Sequence, residues 1–298
     1  METTQEPPTG VTVPDAIAPE DEVTQIQSIR KKDLLLLGMP EITRKEAMEI
    51  HELLLDKKTD ELDVILQTFG GDIDAAFFIT KLLRQHAIKV NILVPAYAKS
   101  AGTLICLGAD KLVMNELSEL GPLDSQVQEK QEGDADHYKS ALEEFKALEQ
   151  VQRHALESVD TTIRIFATRS SLKLSEAMRL AIDFVSKTVG QMYMQIDPKT
   201  IGKFARALEV GEAYGKRVLV EYRHINENAA AEIVSRLVYG YPSHGFIIDL
   251  EELKKIGIDA ELMDKNVCKM AQKILPPYQN NRVIRYIPFQ SNGEAVTI

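Results

Sequence analysis

The sequence predicts an α/β fold: a mostly parallel sheet covered by helices, with a long helical segment added. Three observations carry this expectation. Between residues 33 and 115, short apolar runs that read as strands alternate four times with helical segments. Those runs are apolar on consecutive positions, as strands buried on both faces are. From about 138 to 235 the pattern changes to long stretches of helical periodicity, including YKSALEEFKALEQVQRHALESV and SLKLSEAMRLAIDFVSKTVGQMYM.

The elements follow in order. Residues 1–28 are rich in Pro, Thr and acids with little periodicity, and are expected to form a mobile arm. A single α/β domain is expected over 29–275, with an edge strand and a loose tail over 276–298. DLLLLGMP reads as a short buried strand. TRKEAMEIHELLLDK opens with Thr43 and Glu46 at capping-box spacing and sets Ala47, Ile50 and Leu54 on one stripe. LDVILQTFGGD is a strand closing in two glycines, IDAAFFITKLLRQH a helix and IKVNILVP a strand. SAGTLICLGA is a helix and DKLVMN a strand. IVSRLVYGYPSHGFIIDLEELKKIGI reads as helix, turn, short strand and helix, and NNRVIRYIPF as the edge strand.

Bulk properties narrow the function classes. The 298 residues suffice for a sizeable core, and 44% hydrophobic with 27% charged residues is ordinary for a globular protein. The formal charge of −10 is spread along the chain, which argues against nucleic acid as the main partner. No apolar stretch approaches the roughly 18 residues of a membrane span, and no signal pattern opens the chain. Two cysteines, Cys106 and Cys268, form neither a disulfide framework nor a metal cluster. A cytosolic protein fits these features. No spacing of His, Asp and Glu resembles a metal site, and no cofactor is called for.

Two turns carry chemistry. In TFGGDIDAA, Gly70 and Gly71 join a buried strand to a helix. Glycines there permit positive φ and close approach, and the amides at such a helix start suit an anion. Taken alone, the turn is simply a tight strand-to-helix connection. In AKSAGTL, Ser100 follows the next strand, so a parallel sheet delivers it to the same edge as Gly71. If the turns adjoin, the amides of Gly71 and Ala101 address one carbonyl oxygen attacked by Ser100, the arrangement that acyl transfer needs. Considered alone, Ser100 is an ordinary N-cap.

Together ILQTFGGDIDAA, AKSAGTLICLGADKLVM and ELGPLDSQV resemble the serine dehydrogenase proteinase (SDH protease) family. That family lies with signal peptide peptidase A and the Clp proteolytic subunit in the Clp/crotonase superfamily. The likeness covers residues 33–128 and resumes weakly at YPSHGFIIDLEELKKIGI. It implies a ClpP/crotonase-like sheet with repeated ββα-type units and Ser100 as nucleophile. It further implies Gly71 and Ala101, with Gly70 beside them, as the oxyanion hole, and assembly into rings or stacked trimers through the helical part.

A serine hydroxyl needs a base within hydrogen-bond reach. The position matching the Clp-type histidine falls near Asp124, where no histidine stands. The lysine solution of signal-peptide-peptidase-like relatives points to Lys139 or Lys146, seven apart and so able to share a helical face. His244 with Asp124 is the other arrangement, the two residue types exchanged relative to the Clp order. Each also has a plain reading: solvated lysines, a turn histidine and a loop acid. His51, His86, His137, His154 and His224 sit on polar helix or loop positions and are not expected to act. Asp72 and Asp74 read as helix-dipole partners.

The leading expectation is a cytosolic serine peptidase with peptide or protein substrates, working as a homo-oligomer through an acyl-enzyme. The alternatives are a scaffold that retains the fold without turnover, and crotonase-like acyl-CoA chemistry that leaves Ser100 idle.

Overall fold

In the computed structural model, which describes residues 20–123, 126–129, 137–170, 172–195, 197–279 and 282–290, strands and helices alternate where the apolar runs demand. The chain begins with α1 (Glu20–Arg30), β1 (Asp33–Met39), α2 (Arg44–Leu54), β2 (Thr59–Thr68), α3 (Ile73–His86) and β3 (Ala87–Val94). It continues through β4 (Tyr97–Ala98), α4 (Ala101–Leu107), β5 (Lys111–Met114), β6 (Glu119–Leu120), β7 (Gln126–Glu129) and β8 (His137–Ser140). A helical stretch follows: α5 (Ala141–Arg169), α6 (Leu174–Thr188), α7 (Gly190–Tyr193), α8 (Pro198–Arg223), α9 (Glu227–Tyr239) and α10 (Leu250–Lys255). The last elements are β9 (Glu261–Leu262), α11 (Lys265–Ile274) and β10 (Val283–Ile287).

The main sheet runs β10-β1-β2-β3-β5-β9, and β4 branches from β2 to pair with β6. Along this main sheet the β1-β2-β3-β5-β9 pairings are all parallel, β10 closes the edge antiparallel to β1, and β7 and β8 form a separate antiparallel pair. The fold is thus α/β with a mostly parallel sheet, as expected, and β10 is the expected edge strand. Two cores explain why its strands are apolar on consecutive positions. Leu35, Leu37, Val64, Leu66 and Ile92 face one core shared with α2, α3, α4, α8 and α9. Leu34, Leu36, Ile65, Leu93 and Val113 face a second one under α1 and α11.

Several expectations need correction. Residues 20–28, assigned to a mobile arm, lie in α1, where Val23 and Ile26 are buried against the second core. An ion pair reinforces the docking: Arg30 donates from Nε to Asp63 Oδ2 at 2.5 Å and from Nη2 to Oδ1 at 3.1 Å. Asp63 is 1% exposed and also accepts from Asn91 Nδ2 at 2.8 Å. The short strand expected between the turn and the last helix of IVSRLVYGYPSHGFIIDLEELKKIGI contracts to one bridge, Leu120 to Ile248, and Phe246 N–H bonds back to Ser243 O within a turn. Neither β9 nor α11 was anticipated; β9 has only two residues and makes sense only beside β5.

Candidate functional site

Two turns at the C-terminal ends of β2 and β4 meet. Thr68 of β2 pairs with Ala98 of β4, so the residues that follow both strands emerge side by side. The contact is tight. A Cβ placed on Gly70 would stand 2.7 Å from Ser100 Cβ and 2.9 Å from the Lys99 carbonyl oxygen. Only glycine fits there, and its φ of 110° requires glycine independently. Gly71 is hemmed in on its other side, where an added Cβ would lie 2.3 Å from the Ile42 oxygen.

Hydrogen bonding orients this turn. Ile42 N–H donates to Gly70 O at 2.7 Å, and Asp72 N–H donates to Ile42 O at 2.8 Å. This is the bridge pattern of parallel strands centred on Gly71. In such a bridge the central residue's own N–H points to the opposite side, so Gly71 N–H is turned away from Ile42. Thr68 Oγ1 accepts from Gly70 N–H at 3.1 Å and fixes the first peptide of the turn. Asp72 then caps α3, accepting from Asp74 N–H at 2.7 Å and Ala75 N–H at 3.0 Å. Asp74 accepts from the Tyr214 hydroxyl at 2.7 Å and so links the helix start to α8.

Ser100 occupies the N-cap position of α4 without acting as a cap. Its side chain makes no capping hydrogen bond, and its backbone adopts φ 50°, ψ −118°. That is an unfavourable conformation for a residue with a side chain, costing about 1–3 kcal/mol, and such strain persists only where surrounding structure imposes it. The imposing contacts are visible. Lys99 N–H donates to Thr68 O at 3.0 Å, while Gly102 and Thr103 N–H donate to Lys99 O and Ser100 O, each at 2.8 Å. Ser100 is 2% exposed. Ala101, the first residue of α4, follows directly.

The wall beside Ser100 is the 119–123 loop. A Cβ on Gly121 would stand 3.3 Å from Ser100 N and 3.0 Å from Lys99 Cδ. The Thr103 hydroxyl accepts from Gly121 N–H at 3.2 Å and lies 2.8 Å from Gly121 O. Lys99 pairs with Glu119, and its Nζ donates to Leu120 O at 3.2 Å. Leu120 and Ile248 exchange backbone bonds of 2.9 and 3.1 Å, so the turn carrying the half-buried His244 lies along this wall. Lys146 Nζ donates to the Tyr241 carbonyl and thereby anchors the same turn.

Of the residues singled out in the sequence, Ser100, Ala101, Gly70 and Gly71 are brought together, and His244 stands on an adjoining segment. Lys139 and Lys146 do not share a helical face. Lys139 lies in β8, paired with Val127 of β7, and α5 begins only at Ala141. Strand pairing takes residues 137–140 before the helix, and Ser140 is a residue type that favours a helix start. Asp124 falls outside the described residues. His86, expected on a polar position, is 3% exposed; its Nδ1 is 2.7 Å from Lys57 O at the opposite end of the strands, and burial pushes its pKa down. Among the described residues no cluster of three or more His, Cys, Asp or Glu is placed to hold a metal.

Sequence reasoning passed over Thr68, Gly102 and Thr103. A Cβ on Gly102 would come within 2.5 Å of Thr68 Cγ2, so α4 can approach β2 only through glycine. The signal available was the run of small residues in SAGT.

The structure is thus an α/β fold in which the turns after β2 and β4 adjoin. Residues 21–167 match the model of ClpP-like SDH-type serine proteinases. Two curated relatives come from Methanocaldococcus jannaschii, each named as an uncharacterized protein. One is 26% identical over 89% of this chain and 78% of its own length; the other is 24% identical over 87% and 74%. Among solved structures, a variant of the 1510-N membrane-bound stomatin-specific protease aligns with TM-score 0.44 at 16% identity, over 78% of this chain and 80% of that one. ClpP1 from Listeria monocytogenes aligns with TM-score 0.40 at 13% identity, over 82% and 96%. No helix among the described residues is long and apolar enough to cross a membrane.

Proposed function

We propose that the protein is a cytosolic serine peptidase acting through an acyl-enzyme on Ser100. The observation that carries the reading is the Ser100 backbone, held at φ 50°, ψ −118° against the Gly70–Gly71 turn. An N-cap serine has no need of such a conformation, whereas a nucleophile lifted out of its helix does. The SDH-type family match over residues 21–167 supports the same chemistry.

In this mechanism Ser100 Oγ attacks the scissile carbonyl carbon while a base takes its proton. The tetrahedral oxyanion accepts hydrogen bonds from Gly71 and Ala101 N–H, with Gly70 holding the turn open. Collapse breaks the C–N bond, and the amine leaves with the proton from the base. Water activated by the same base then attacks the ester, releasing the carboxylate and restoring Ser100. Two bases compete: Lys139, and His244 partnered by Asp124. Substitution discriminates them, because only loss of the true base abolishes turnover while leaving the fold intact.

Labelling by a fluorophosphonate probe tests the nucleophile. The wild-type chain should be labelled and Ser100→Ala should not; equal labelling of the two would overturn the proposal. The working form is proposed to be a homo-oligomer. Leu174, Met178 and Ile182, four residues apart along α6, leave an exposed apolar stripe that a second copy would cover. The free thiols Cys106 and Cys268 fit a reducing compartment.

A further inference from the structure

Beside the two turns, three aromatic rings form a continuous row. Phe69 stacks on Tyr97 with centroids 4.4 Å apart, and Tyr97 stacks on Tyr278 at 5.6 Å. Tyr97 is 4% exposed, whereas Phe69 is 45% and Tyr278 74% exposed. The row is therefore a shelf with a buried middle and two open ends. Its position follows from strand alternation. Thr68 and Ala98 point toward α4, since both approach Gly102, so their neighbours Phe69 and Tyr97 point to the face covered by α1 and α11. The third ring arrives from a remote part of the sequence. Gln67 Nε2 donates to Pro276 O at 2.9 Å and holds the segment after α11 across the strand ends. Tyr278 itself adopts φ 58°, a left-handed conformation rare for a tyrosine.

Phe69 is the residue immediately before Gly70, and Tyr97 stands three residues before Ser100. A peptide in extended conformation sends successive side chains to opposite faces. Laid over the strand ends with its scissile carbonyl at Gly71 and Ser100, it would turn a neighbouring side chain onto the aromatic row. We propose that Phe69, Tyr97 and Tyr278 form a specificity subsite that accepts an aromatic or large apolar side chain next to the scissile bond. This inference rests on the reading of Ser100 as nucleophile for its place along the substrate. The shelf itself is argued from the rings.

The chain contains no tryptophan, so a peptide carrying one Trp reports its own binding by fluorescence. A series of octapeptides with a single Trp at successive positions would be titrated into Ser100→Ala protein. At one or two positions Trp should give a blue-shifted emission and the tightest binding. Phe69→Ala and Tyr278→Ala, each added to Ser100→Ala, should weaken that peptide about tenfold, and Tyr278→Phe should retain it, as stacking on a ring surface demands. Unchanged affinity in both alanine variants, or no binding by any peptide, would overturn the subsite. Fluorophosphonate labelling of Phe69→Ala and Tyr278→Ala with Ser100 intact is the separate control. Absent labelling of the wild-type chain, with Trp binding still dependent on Phe69, would reject the nucleophile and leave the shelf standing as a peptide-binding surface.

Discussion

At the scale of single residues, the site depends on backbone shape more than on side-chain chemistry. Ser100 holds an unfavourable φ, ψ pair, and glycine tolerates that pair without penalty. Ser100→Gly is therefore expected to raise stability by about 1 kcal/mol while abolishing fluorophosphonate labelling. Thermal denaturation alongside labelling checks both, and a fall in the melting temperature would show that the serine is not strained. Gly70→Ala should do the opposite. Its Cβ would run into Ser100 Cβ and the Lys99 carbonyl at a φ of 110°. The expected result is a destabilised fold with labelling reduced at least about tenfold, because a displaced turn would withdraw the Gly71 N–H from its proposed place in the oxyanion hole, and loss of one such donor costs about two to three orders of magnitude.

At the scale of elements, charges fasten helices to the sheet. The Arg30–Asp63 pair joins α1 to β2 with Asp63 buried. Asp63→Ala takes away the carboxylate that accepts both Arg30 hydrogen bonds and is expected to cost about 3 kcal/mol by chemical denaturation. The start of α2 carries a pH dependence. Burial pushes the Glu46 carboxyl up, but the Thr43 hydroxyl, the Glu46 backbone N–H and the Arg282 guanidinium outweigh it and hold the group below its ordinary value. A carboxyl depressed in the folded state contributes stability above its unfolded pKa of about 4.3, and that contribution is lost as pH falls through the lower folded value. Glu46→Gln should therefore flatten the acid limb of stability against pH below about pH 4.3, and identical limbs in variant and wild type would contradict this. The capping box itself was readable in the sequence because Thr43 and Glu46 are three residues apart and their bonds are local. Lys139 was misread because β8 owes its conformation to β7, a partner no helical period reveals.

At the scale of the whole molecule, the helices from α5 to α8 leave an apolar surface that one copy of the chain does not cover. Ile182→Lys together with Met178→Glu places charges on exposed positions of α6. The pair is expected to lower the sedimentation coefficient to that of a monomer without changing the melting transition of the domain. An unchanged sedimentation coefficient would remove α6 from the assembly surface.

The sequence by itself determined the elements whose cause is local. Apolar runs placed β1, β2, β3 and β5, periodicity placed α2 and α3, and two glycines ahead of Asp72 marked a turn that needs positive φ. Only the tertiary structure decided what lies beside what. The pairing of Thr68 with Ala98 set Gly70 against Ser100, α11 carried Tyr278 to Tyr97, and the second core drew α1 out of an expected arm. Backbone preference acts between neighbours in the chain, whereas burial and strand pairing join residues across hundreds of positions, and the strain at Ser100 arises where those distant contacts converge.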